Sequence, residues 1–194
     1  MAGRLQGKVC VITGAGGGMG REAAQLFTEE GARVAVADVS LDAAEETAAL
    51  CTDGTALAVQ VDVAGEDGVR GLMAATAERF GGIDVLYNNA GISPADDASI
   101  LDTEVEAWQR VQDVNTKGVF LCCKHGIPHL LERGGGSVIN VASFVAISVR
   151  TASSSATSTC TAIAVPSAHS SAVSSAASRE TSATATRAPS SVKS

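Results

Sequence analysis

The stretch TGAGGGMG, Thr13–Gly20, places five glycines directly after the apolar run KVCVITG and before a segment with helical spacing. Without Cβ atoms such a loop turns tightly and lets its backbone approach a ligand. The N–H groups opening the following helix favour an anion such as a pyrophosphate. A plain Gly-rich turn is the alternative, but the strand before it and the helix after it favour a nucleotide. Asp38 ends the next apolar run, RVAVADV. A carboxylate there can accept hydrogen bonds from both adenosine ribose hydroxyls and would repel a 2′-phosphate, which points to NAD over NADP. A helix cap or loop acid is the bland reading of Asp38. Asp62 and Val63 close a third run and could border the adenine.

These residues need strands and helices in alternation to bring them together. The run Lys8–Gly14 reads as a strand buried on both faces. MGREAAQLFTEEGA follows as a helix with Ala23, Ala24, Leu26 and Phe27 on one face, stopping at Gly31. RVAVADV, ALAVQVDV, IDVLYNNAG and GSVINVAS then read as four more strands. LDAAEETAALC, EDGVRGLMAATAERFG and the long region EAWQRVQDVNTKGVFLCCKHGIPHLLE separate them as helices. The alternation specifies an α/β fold with a parallel, doubly wound sheet. Ligands of such sheets sit beyond the carboxyl ends of the strands, which singles out Gly14–Gly20, Asp38, Asp62, Asn88–Gly91 and Ser143.

The chain has 194 residues, 45% of them hydrophobic, enough for one domain with a sizeable core. Its net charge of −7, without a Lys/Arg cluster, argues against nucleic acid and for small-molecule or protein partners. The first apolar run reaches glycines too soon for a signal peptide and no run spans a bilayer, so a cytoplasmic location without membrane partners is expected. Cys10, Cys51, Cys122, Cys123 and Cys160 lack paired spacing, so neither a disulfide framework nor a metal site is expected.

TGAGGGMG, NNAG at Asn88–Gly91, DVN ending in Asn115 and INVAS ending in Ser143, in this order and spacing, resemble the short-chain dehydrogenases/reductases. The resemblance covers about residues 5–146. It implies a Rossmann-type fold binding a nicotinamide cofactor, with hydride transfer to or from an alcohol or carbonyl substrate, and a homo-oligomer. Gly14, Gly18, Met19 and Gly20 would take the cofactor-loop roles, Asp38 the ribose, Asp62 and Val63 the adenine. Asn88, Ala90 and Gly91 would form the wall beside the ribose and nicotinamide. Asn115 would hold a proton-relay water, and Ser143 would hydrogen-bond the substrate oxygen. Taken alone, Asn115 would read as a surface or capping residue and Ser143 as a strand-end hydroxyl.

The family's chemistry also needs a Tyr-x-x-x-Lys pair on the helix after Ser143, the lysine lowering the pKa of the acid/base tyrosine. The sequence lacks it. Tyr87 is the only tyrosine and falls inside the fourth strand, and Lys8, Lys117, Lys124 and Lys193 follow no tyrosine at helical spacing. His125, His129 and His169 offer no substitute. An inactive or severely impaired chain is expected, with a non-catalytic NAD-binding fragment as the alternative.

From Thr151 onward Ser, Thr and Ala dominate, and Glu180 is the only acid. GC-rich codons for Gln25–Ser40, read in triplets on the opposite strand, spell Ser194 back to Glu180 in order. The agreement continues toward Ile147 and includes the rare residues Arg179, His169, Pro166 and Cys160. It breaks at Ser171, Ala168, Ile163, Ser155, Ala152 and Val149, as a diverged copy would. The expectation is therefore an incomplete NAD-binding domain, 1–146, truncated after about the fifth strand. An antisense-derived, disordered, low-complexity tail, 147–194, would follow, leaving the fifth strand as a bare edge.

Overall fold

The computed structural model of the chain describes residues 3–142 and 162–165. Ser143, Cys160, His169, Lys193 and most of the 147–194 segment lie outside the described residues. Five parallel strands alternate with helices in the expected order: β1 (Val9–Thr13), α1 (Gly18–Glu29), β2 (Arg33–Asp38), α2 (Leu41–Leu50), β3 (Ala56–Gln60), α3 (Glu66–Phe80) and β4 (Val85–Asn88). Next come α4 (Val105–Gln112), a π-helical turn (Asp113–Lys117), α5 (Gly118–Glu132) and β5 (Gly136–Asn140). Spatial order is β3-β2-β1-β4-β5, the order of a Rossmann-type sheet, with β6 (Ala162–Val165) added beyond β5.

Period-two alternation in β1 divides the core between the two faces of the sheet. Val11 joins Ala35, Leu72, Met73, Leu86, Leu121 and Leu130 under α3 and α5. Cys10 and Ile12 join Val34, Val36, Ala24 and Ala44 under α1 and α2. In α1, Ala23, Ala24 and Phe27 pack on this second layer as expected. Leu26 does not: it is 57% exposed, because at 100° per residue it lies about 200° around the helix from Ala24. Buried Thr28 takes the inward place, its hydroxyl donating to the Gln25 carbonyl at 2.9 Å.

Below the sheet, buried Asp84 ties three elements together. It accepts the Val9 N–H at 2.9 Å, Arg133 Nη2 at 3.1 Å and Lys8 Nζ at 3.4 Å. Ser40 caps α2 by accepting the Ala43 N–H at 3.3 Å. Gly81 ends α3 in the left-handed region, at φ 85°.

The expected bare edge at β5 is not what the structure shows. Residues 162–165, of sequence AIAV, run antiparallel to β5 with Gly136 opposite Val165 and Ile139 opposite Ala162. A short apolar, partly β-branched run suits strand pairing, and it satisfies backbone groups that β5 would otherwise leave open. These four residues thus depart from the expected disordered tail. Among the described residues no helix is long and apolar enough to cross a membrane, and no group of His, Cys, Asp and Glu gathers as a metal site.

Candidate functional site

The site lies at the carboxyl ends of β1, β2 and β4. Gly14 leaves β1 at φ 63°, and a Cβ on it would sit 2.8 Å from Ala90 Cα. Gly20, in the first turn of α1, faces the Gly14 carbonyl and Asn89. A Cβ there would fall 2.7 Å from Asn89 Nδ2. Only glycine permits these approaches, and they pack the loop directly onto the end of β4. Asn89 fastens that contact by donating to the carbonyls of Thr13 at 3.0 Å and Gly14 at 3.1 Å. Thr13 Oγ1 in return accepts the N–H groups of Asn89 and Ala90 at 3.2 and 3.1 Å. Gly17 precedes α1 in extended conformation, Gly18 follows at φ 51°, and no acid occupies the first turn. The positive end of the helix dipole is therefore left for an anion. Met19 is largely exposed beside it.

Asp38, at the end of β2, points back to this loop. Its Oδ2 accepts the Gly16 N–H at 2.8 Å and its Oδ1 the Ser40 N–H at 3.1 Å, leaving lone pairs on both oxygens. Arg21 meets the same residue on its next peptide unit, Nη2 donating to the Gly16 carbonyl at 2.6 Å. No sequence pattern singles out Arg21, because its anchors Thr47 and Glu46 lie on α2, more than twenty residues away.

Asp62 lies past the end of β3, where its Oδ1 accepts the Ala64 N–H at 2.9 Å. It lines an open groove of about 540 Å³ with Val105, Gln109, Arg110 and Val114. Val63 is buried against Gly118, whose Cβ, if present, would lie 2.7 Å from Val63 Cγ2. Asn88 is 3% exposed and donates to Asn140 Oδ1 at 2.8 Å, with Cys123 Sγ at 3.5 Å. Its side chain thus joins β4 to β5, while Ala90 and Gly91 form the wall above the loop.

Asn115 sits in the π-helical turn, and both ends of its amide are engaged. Oδ1 accepts the Ile92 N–H at 2.8 Å and Nδ2 donates to the Ile92 carbonyl at 2.9 Å. The structure brings Asn115 to the Gly91 wall as a clamp on the segment after β4. Tyr87 points away from the site and stacks on Phe27 of α1, ring centroids 6.1 Å apart and planes at 28°. Lys8, Lys117 and Lys124 pair with Asp84, Asp113 and Glu66.

A strand-bound glycine loop, an acid at the second strand end and a third wall from the fourth strand are the arrangement of a Rossmann-type α/β protein. The family described as short chain dehydrogenase matches residues 8–165, and the chain belongs to that family. It is 44% identical over 140 residues to meso-2,3-butanediol dehydrogenase of Serratia marcescens, a match covering 72% of this chain and 55% of that protein. It is 42% identical over 144 residues to 2-(R)-hydroxypropyl-CoM dehydrogenase of Xanthobacter autotrophicus, covering 72% and 58%. A short-chain type dehydrogenase/reductase from Mycobacterium marinum superposes with TM-score 0.74 at 34% identity, covering 79% of this chain and 64% of that one. The chain thus spans a little over half the length of the curated relatives it matches.

Proposed function

We propose that this chain is the cofactor-binding part of an alcohol dehydrogenase/ketoreductase, that it binds NAD in preference to NADP, and that it does not turn over. The observation that carries the cofactor reading is the placement of Asp38, fixed by Gly16 and Ser40 at the edge of the glycine loop with both oxygens able to accept. Gly14, Gly18 and Gly20 would let the pyrophosphate approach the start of α1, and Asp38 would hold the ribose. Asp62 and Val63 would border the adenine, and Ala90 and Gly91 the nicotinamide side. Bound there, NAD supplies the hydride acceptor of an alcohol oxidation. The relatives' printed names, a butanediol and a hydroxypropyl compound among them, support a small alcohol or carbonyl substrate class.

The proposed loss of turnover rests on the missing proton carrier. The one tyrosine is committed to packing against Phe27, and the three described lysines are held in ion pairs away from it. General acid/base catalysis contributes roughly 10²–10⁴-fold, so a chain without it falls that far below its relatives. We also read 147–194 as the reverse strand of a related gene, and place the protein in the cytoplasm without nucleic-acid partners.

Calorimetric titration of the purified chain tests the cofactor. Saturable NAD binding at least about tenfold tighter than NADP is expected, a difference of about 1.4 kcal/mol. Equal affinities would overturn the preference, and no binding would overturn the cofactor reading. NADH formation from a secondary alcohol at rates ordinary for the family would overturn the loss of turnover. Sequencing the locus checks the tail: the reading requires an inverted repeat of codons 25 to 73, and a continuous sense frame without it would overturn the reading.

A further inference from the structure

Side chains hold both backbone polar groups of Gly16, which belong to the two successive peptide units on either side of its Cα. Its N–H donates to Asp38 Oδ2 at 2.8 Å, and its carbonyl accepts Arg21 Nη2 at 2.6 Å. Arg21 is in turn held by α2. Its Nε donates to Thr47 Oγ1 at 3.0 Å, and its Nη2 lies 3.4 Å from Glu46 Oε2. Thr47 is fully buried, so this anchor cannot be replaced by solvent, whereas Glu46 is largely exposed and adds little. The arginine side chain itself is about a third exposed.

We propose that Arg21 is a positioning residue for dinucleotide binding, pinning the Gly16 carbonyl to α2 so that the loop keeps one shape and Asp38 keeps one orientation. The role rests on the NAD reading above. A loop of consecutive glycines has several accessible shapes, and a carbonyl turned toward a diphosphate would repel it. With that carbonyl bound to a guanidinium, the Gly16–Gly17 peptide unit keeps its orientation. The preceding unit, whose Gly16 N–H donates to Asp38, is held through the shared Cα and fixes the carboxylate that receives the ribose. One arginine thereby couples the phosphate half of the site to the ribose half, although it touches neither.

Arg21→Ala, Arg21→Lys and Thr47→Val in the full chain test this by NAD titration together with amide hydrogen exchange in the absence of NAD. Arg21→Ala is expected to weaken NAD about tenfold, the size of a lost charge-assisted hydrogen bond, and to speed exchange at Gly16 and Gly17. Amides of β1 should keep their protection, which separates a loosened loop from an unfolded protein. Arg21→Lys, able to keep one of the two bonds, should recover part of both effects. Thr47→Val, nearly isosteric, should shift both in the direction of Arg21→Ala. Wild-type affinity in Arg21→Ala, with or without faster exchange, overturns the inference while leaving the cofactor reading intact. Should the alanine variant not fold, wild-type NAD affinity in both Thr47→Val and Arg21→Lys overturns it. Absence of NAD binding in the wild-type chain instead overturns the cofactor reading itself, and this role with it.

Discussion

Asp84 is a buried carboxylate that ties the start of β1 to the end of α5. Burial pushes its carboxyl up, but the Val9 N–H, Arg133 and Lys8 outweigh burial and hold it below the usual carboxylate range. Asp84→Ala would leave Arg133 and the Val9 N–H without their partner, at a cost of about 3 kcal/mol, measurable by urea unfolding. Cys10 and Cys122 respond to burial in the opposite sense. Burial first, then Asp84, pushes the Cys10 thiol up to about 12, and burial with Cys123 beside it does the same for Cys122. Alkylation of the native protein near pH 8 followed by peptide mass analysis should leave both unmodified, while denaturant exposes them. At this scale the sequence showed glycines and acids at strand ends, because strand alternation alone fixes where those ends lie. It did not show that Asn88 reaches Asn140, that Asn89 grips Thr13, or that Arg21 reaches Thr47, since each bond joins elements far apart in the chain.

Between elements, the least expected contact is the antiparallel pairing of β6 with β5. Proline at Ile163, whose backbone lies opposite Val138, would remove a ladder N–H and strain the strand. If β6 covers the β5 edge in solution, Ile163→Pro lowers the melting temperature and speeds aggregation in light scattering. An unchanged pair of values would show that the edge does not need it. Gly20→Ala concerns the other end of the sheet. Its methyl would collide with the Gly14 carbonyl and with Asn89, so the variant should lose NAD binding in the titration and melt lower. The strands were legible as short apolar runs ending in glycine or acid, and the helices as the patterned segments between them. The reversal of direction into β6 was not, because AIAV sits in a segment whose Ser/Thr/Ala composition carries no period.

Across the whole molecule, ion pairs are spread over the surface, and several carboxylates titrate low. Hydrogen bonds from Lys124 and His125 to Glu66 hold its carboxyl down to about 2, and Arg110 and Arg4 lower Asp96 and Glu30. In each case the folded value lies below the unfolded one. The stability they contribute is therefore complete above the unfolded value and is lost as pH falls through the folded one. For Glu66 the window runs from its usual 4.5 down to about 2. Melting followed by circular dichroism should fall steadily across that window, and Glu66→Gln should flatten part of the slope. Added salt should reduce the contribution of these exposed pairs further.

The π-helical turn at Asp113–Lys117 has one more consequence, for tolerance to deletion. A π turn holds one residue more than the α turn it replaces, and one residue is worth about 100° of helical rotation. The wide turn absorbs that rotation, so loss of a single codon between 113 and 117 would let it close as an ordinary α turn with α4 and α5 still in their present phase. Leu121, Cys122 and Leu130 would stay beneath the sheet, while the amide of Asn115 would lose its alignment with Ile92. The surplus residue works as a local bulge: it turns one amide toward the segment after β4 and leaves the rod on either side undisturbed.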